Sequence, residues 1–297
     1  MNGRWHNLVI EAQFATELVR AGISSVCELP MNPNQLDVLG YDRMYPLNVG
    51  LHMYTSGLER LYKLALACHS FASTGTFAPV RKYGHQLSKL TDALDSLNMT
   101  GFNSYNPEYL ARADDEYGDE LLEWLERFAS GDGRYEILDS LSREDADVLT
   151  WEMWVEFCSR GIVSEDVEQS ISLRTAIGSA LTDVCIANDL ESVAYPVLDA
   201  ATRPLYSASA AVGLAMYRRA RRPAEVLASV TNYTSAELPI LREALNTLTQ
   251  TTDNFFAYDI AGVSDREPVI QELISHAETF VMPSGDGEDD EWTDKPE

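Results

Sequence analysis

Apolar residues recur at three- and four-residue steps along much of the chain, the spacing of helices that bury one face. The plainest stripe is Leu51, Tyr54, Leu58, Leu61, Ala65 and Cys68, widened by Leu64 and Phe71, and the Ser73-Thr74-Gly75-Thr76 stretch breaks it. A second helix carries Leu87, Leu90, Leu94 and Leu97 and starts between Pro79 and His85. After a loop over 98–106, a third helix is expected from about Pro107 to Ala129, ended by Gly131-Asp132-Gly133. A short helix follows over 134–141, and another runs from Asp145 to Arg160, with Gly161 as its stop.

Residues 4–20 read as a helix, and 21–46, with Gly22, Pro30, Pro33 and Pro46, as an irregular connection. Beyond 161 the spacing predicts helices over 164–188, 191–202, 204–221, 235–249 and 266–280. No segment alternates with the period of a strand. The expected fold is therefore all-α: a helical bundle followed by a further helical region. The expected divisions are 1–46, an N-terminal helix and connection; 47–161, the bundle; 162–282, a C-terminal helical region; and 283–297, a disordered tail. That tail holds Gly285, Gly287 and seven carboxylates, too little apolar surface to order it.

The 45% hydrophobic content over 297 residues suits a chain with a real core. The longest apolar run is too short for a membrane span, and the N-terminus lacks the pattern of a secretion signal. Cys27, Cys68, Cys158 and Cys185 are widely spaced, and the five histidines share no ligand spacing. These features predict a cytoplasmic protein with no disulfide framework, no structural metal and no cofactor. The net charge of −25 opposes broad binding to nucleic-acid phosphates but leaves room for a local basic site.

Arg81 and His85 are the leading candidates for such a site. An arginine grips a phosphate with two parallel hydrogen bonds, and a neutral histidine can move a proton. Lys82 and Lys89 add charge beside them, and Arg60 and Lys63 add it from the preceding helix. Gly84 reads as a turn that places His85 in the first turn of the next helix, where the helix end favours a bound anion. The competing reading is local: His85 bonds a neighbouring segment, and the cations answer nearby carboxylates. The run Arg218-Arg219-Ala220-Arg221-Arg222 is expected at a helix C-terminus before Pro223, capping it and pairing with the protein's own carboxylates. Glu116, Asp119, Glu120 and Glu123 read as a solvated acidic helix face.

The stretch GLERLYKLAL at 57–66, a short loop, and VRKYGHQLSKL at 80–90 resemble the HEPN superfamily of helical domains. The likeness covers about residues 45–145 and rests on the Gly-His-x-Leu-x-x-Leu opening at 84–90, with Arg134-Tyr135 as a further shared feature. The resemblance implies a bundle that often dimerises, hence a homodimer. It also implies one of two activities. Some members are metal-independent ribonucleases of toxin–antitoxin and phage-defence systems. Others are catalytically silent and bind nucleotides, RNA or protein partners. The ribonucleases separate their arginine and histidine by four to six residues. Here three intervene between Arg81 and His85, and Lys82 replaces the small polar residue that follows the arginine. The expectation is thus a noncatalytic binding protein. A ribonuclease using Arg81 and His85 is the first alternative, and an acidic mimic of nucleic acid the second.

Overall fold

The computed structural model describes residues 3–27, 29, 40–115, 117–131, 133–142, 149–161, 179–188, 190, 194, 207–232 and 238–249. Among these the regular structure is helical and no strand occurs, as the periodicities predict. The chain divides into two compact units. The first comprises residues 1–173 and 203–263, and the second residues 174–202 and 264–297. In the second, 179–187 is helical, with Leu181, Cys185 and Ala194 buried and the Thr182 hydroxyl 3.4 Å from the Ala194 carbonyl.

The first unit is built round two long helices, α1 (Gly3–Cys27) and α2 (Gly40–Thr74). At 1.5 Å per residue α2 is about 52 Å long. Its stripe of Leu51, Tyr54, Leu58, Leu61 and Ala65 is fully buried. The two helices approach closely because glycines line their seam. A Cβ on Gly22 would stand 2.5 Å from the Tyr54 amide nitrogen and 2.7 Å from the Gly50 carbonyl. One on Gly57 would stand 2.7 Å from the Ala15 carbonyl. No side chain fits in either place.

This seam corrects the expected connection over 21–46. The first helix continues through Gly22 to Cys27, and the second already begins at Gly40 with Pro46 inside it. The proline forfeits one backbone hydrogen bond. Burial of Leu47 and Leu51 beside it offsets the loss.

A 3₁₀ turn (Val80–Tyr83) leads to α3 (Leu87–Asp95), whose Leu87, Leu90 and Leu94 are buried. The expected helix from Pro107 to Ala129 is divided. Pro107–Leu110 is a 3₁₀ turn, and the helix proper, α4, is Gly118–Ser130. The Asp115 carboxylate accepts the Tyr117 and Gly118 amides at 3.0 and 3.2 Å and so sets the start of α4. Gly131, at φ 118°, ends it. Next come α5 (Glu136–Ser140) and α6 (Leu149–Arg160). Trp124 of α4 stacks on Trp154 of α6 at 6.2 Å.

The last long helix among the described residues, α7, is Ser207–Thr231. It packs against α1 and α2, so a helix beyond the expected boundary at 161 shares the first unit's core. The Tyr54 hydroxyl donates to the Met216 carbonyl at 2.7 Å and the Ser209 hydroxyl to the Leu29 carbonyl at 2.9 Å. The expected stop before Pro223 is overturned: the helix runs through the proline for two further turns because Ala224, Val226, Leu227 and Val230 are buried. Of the helix expected over 235–249, the described residues 238–249 form turns and one 3₁₀ segment, Asn246–Leu248, although Leu241, Leu245 and Leu248 are all buried. Among the described residues no helix is long and apolar enough to cross a membrane. The expected helix over 266–280 and the tail over 283–297 lie outside the described residues.

Candidate anion-binding cleft

The face of α2 turned away from its buried stripe presents Glu59, Arg60 and Lys63, and the 80–85 segment crosses it. Between them lies a cavity of about 570 Å³, within the range of small-ligand sites. Arg60, Lys63, Arg81, His85 and Arg134 line it together with Glu11 and Glu59. Four permanent cations thus face two carboxylates, an excess of two positive charges in a chain of net charge −25.

Each side chain is positioned by identifiable contacts. Lys63 Nζ donates to Glu59 Oε1 at 2.5 Å and to the Gly84 carbonyl at 2.8 Å, which ties the 80–85 segment to α2. His85 Nδ1 lies 2.7 Å from Glu59 Oε2. Glu59 therefore serves two basic partners, Lys63 and His85. Arg60 pairs with Glu11 of α1, and its guanidinium lies 5.0 Å from the centre of the Phe14 ring. Arg134 comes from the turn between α4 and α5; its Nε is buried and has no hydrogen-bond partner among the described residues.

The backbone at Gly84 explains the geometry of the crossing segment. Its φ is 56° and ψ −129°, a conformation open to glycine and strained for other residues. The expected turn is present. His85, however, lies just before the Gln86 cap of α3, outside the helix. The free N-terminus expected to receive an anion is already filled, since Glu126 accepts the Ser88 amide at 2.5 Å.

Of the six expected ligand residues, the fold gathers Arg60, Lys63, Arg81 and His85 at one cavity. Lys82 turns to its neighbour, with Nζ 5.0 Å from the Tyr83 ring centre, and Lys89 is exposed on α3; neither lines the cavity. The spacing of the sequence does not single out Glu11, Glu59 or Arg134 as site residues. Glu59 stands one turn before Lys63, a signal only for a surface ion pair.

A second cavity, of about 440 Å³, adjoins the first along α2. Tyr45, Val49, His52 and Met53 line it from α2, Phe128 from α4, and Arg134 and Tyr135 from the turn. Arg134 lines both cavities. The His52 ring meets Phe128 edge-on at 6.3 Å. Burial, and then the charge of Arg134, hold the His52 pKa below its ordinary value.

The basic run on α7 behaves differently. Arg219 donates to the fully buried Asp115 carboxylate at 2.9 Å, and Arg222 pairs with Asp95 and donates to the Leu110 carbonyl at 2.9 Å. Arg221 lies 4.6 and 4.3 Å from the ring centres of Tyr109 and Tyr217. The pairing expected for this run is present, but within a continuous helix and not at its end. All four cysteines are free and buried, and burial pushes the Cys68 and Cys158 thiols up to about 12. No group of three or more potential metal ligands gathers among the described residues.

Comparison with known protein families, with characterised proteins and with solved structures gives no match.

Proposed function

We propose that this protein is a noncatalytic, HEPN-like helical protein whose α2 cleft binds a nucleotide through its phosphates. The observation that supports this reading is the convergence of Arg60, Lys63, Arg81 and Arg134 on one cavity of ligand size. Arg81 is exposed at the cavity wall and offers a planar fork of donors matched to phosphate oxygens. Titration calorimetry with ADP and ATP tests the reading. Binding that Arg81→Ala weakens about tenfold or more, at unchanged melting temperature, supports it. Absence of binding to either nucleotide refutes it.

One contact favours a second reading, a metal-independent ribonuclease using Arg81 and His85. The 2.7 Å bond to Glu59 would orient His85 as a general base, with Nε2 free to take a proton from a ribose hydroxyl. The noncatalytic reading predicts no cleavage of RNA in chelator-treated buffer. Cleavage abolished by both Arg81→Ala and His85→Ala would replace it with the ribonuclease.

A further inference from the structure

A second stripe of apolar and aromatic residues runs along α2. Tyr45, Val49, His52 and Met53 recur at the three- and four-residue steps of a buried face, yet Tyr45 is 74% exposed. They form one wall of the cavity of about 440 Å³. Phe128 of α4 and Tyr135, 57% exposed, form the opposite wall. Gly133 shapes that wall. A Cβ there would stand 2.8 Å from Phe128 Cδ2, so glycine lets the turn after α4 close on the ring. The Tyr135 amide donates to the Gly131 carbonyl at 3.1 Å and fixes the turn that carries Arg134 to the cavity's edge.

The charge of this cavity runs against that of the chain. Asp and Glu supply 47 residues of the sequence, yet none of them lines it, while Arg134 does. Arg134 Nε is buried and unpartnered among the described residues, a donor that a ligand oxygen would satisfy. His52 is held below its ordinary pKa, which leaves Arg134 as the charge of the lining at neutral pH.

From these features we infer that the cavity binds a small aromatic monocarboxylate, its rings between Tyr45, Phe128 and Tyr135 and its carboxylate on Arg134. Aromatic walls favour a flat aromatic guest over an aliphatic one. One guanidinium with no lining carboxylate suits a single negative charge. Tyr45 and Met53 are eight residues apart, about 12 Å along the helix axis, which is room for two fused rings. The site uses none of Arg60, Lys63 and Arg81, so it does not depend on the neighbouring cleft holding a phosphate.

The probes are 2-naphthoate, its neutral counterpart 2-naphthamide, and octanoate. Each is titrated by calorimetry against the wild type, Arg134→Gln, Tyr135→Ala and Arg81→Ala, with matched melting temperatures as the check on folding. On the wild type, where no substitution can disturb the fold, 2-naphthoate is expected to bind about tenfold or more tighter than either the amide or octanoate. Arg134→Gln removes the advantage over the amide. Tyr135→Ala, at an exposed position, weakens acid and amide alike, and Arg81→Ala changes neither. Saturation with the acid, but not with the amide, raises the His52 pKa followed by NMR, because a carboxylate on Arg134 offsets a charge that depresses it. Equal affinity for acid and amide, or tighter binding of octanoate, overturns the inference. So does the absence of 2-naphthoate binding up to about 5 mM. A loss in Arg81→Ala as large as in Arg134→Gln would put the acid in the neighbouring cleft and overturn it as well.

Discussion

Arg219 and Arg222 on α7 carry the same guanidinium as Arg60 and Arg81 at the cleft, yet the two regions answer the charge differently. On α7 each arginine is mostly buried and meets a carboxylate from a distant segment, Asp115 for Arg219 and Asp95 for Arg222. Arg221 between them is sandwiched by Tyr109 and Tyr217. These charges hold the segment before α4 and the end of α3 against α7. At the cleft the cations are more numerous than the acids, and they border open volume. The denser basic run is thus a structural clamp, and the scattered cations form the candidate site. What separates them is the surplus: Glu11 and Glu59 answer Arg60 and Lys63, while Arg81 and Arg134 line the open volume with no carboxylate partner among the described residues, which basic-residue density does not report.

The largest effect expected from this contrast is at Asp115. Removing one partner of a buried ion pair leaves the other charge uncompensated, at a cost of about 3–5 kcal/mol. Asp115→Ala also removes the acceptor for the Tyr117 and Gly118 amides. Urea unfolding of Asp115→Ala should show a loss of that order. A loss below about 1 kcal/mol, the worth of an exposed pair, would erase the distinction between the two regions.

Glu59→Gln should act in the opposite sense at the cleft. It removes a negative charge that partly neutralises Lys63 and His85. A unit charge about 4 Å away is worth about 1 kcal/mol in water, so tripolyphosphate should bind roughly fivefold tighter. Weaker binding would show that Glu59 matters more as the support that aims Lys63 and His85 than as a competing charge.

His52 gives a smaller, pH-dependent effect. Its pKa is lowered in the folded protein, by burial first and by Arg134 second. The folded state therefore binds the proton less well than the unfolded chain. The associated stability is complete above pH 6.5 and is lost as pH falls from there through the folded value. Melting temperatures at pH 7.5 and 5.5 should fall further for the wild type than for His52→Asn. Because His52 is largely exposed, the difference should be modest. Identical slopes would show that neither burial nor Arg134 shifts His52.

The smallest expected effect is the stability change in Arg81→Ala, within about 0.5 kcal/mol of wild type, since the side chain is exposed and makes no ion pair or side-chain hydrogen bond among the described residues. A loss as large as that of Asp115→Ala would make Arg81 a clamp like Arg219.

The helical fold was legible because burial of one face forces the three- and four-residue spacing, seen in Leu51, Tyr54, Leu58 and Leu61. The turn at Gly84 was legible for a local reason too, since a positive φ there favours glycine. Where tertiary contacts outweigh local preference, the reading shifted. Gly22 and Pro46 resemble breakers, yet close packing and burial carry α1 and α2 through them, and buried apolar residues carry α7 past Pro223.

The sequence by itself determined the helical class, the apolar faces, and a short basic segment around Arg81 and His85, because each depends on residues near one another along the chain. Only the tertiary structure decided which charges are free. Glu11 comes to Arg60 from 49 residues away, Glu59 to His85 from 26, and Asp115 to Arg219 from 104. Arg134 likewise reaches the cleft from the far end of α4. Electrostatic balance depends on distance in space, and chain spacing does not encode which distant carboxylate arrives.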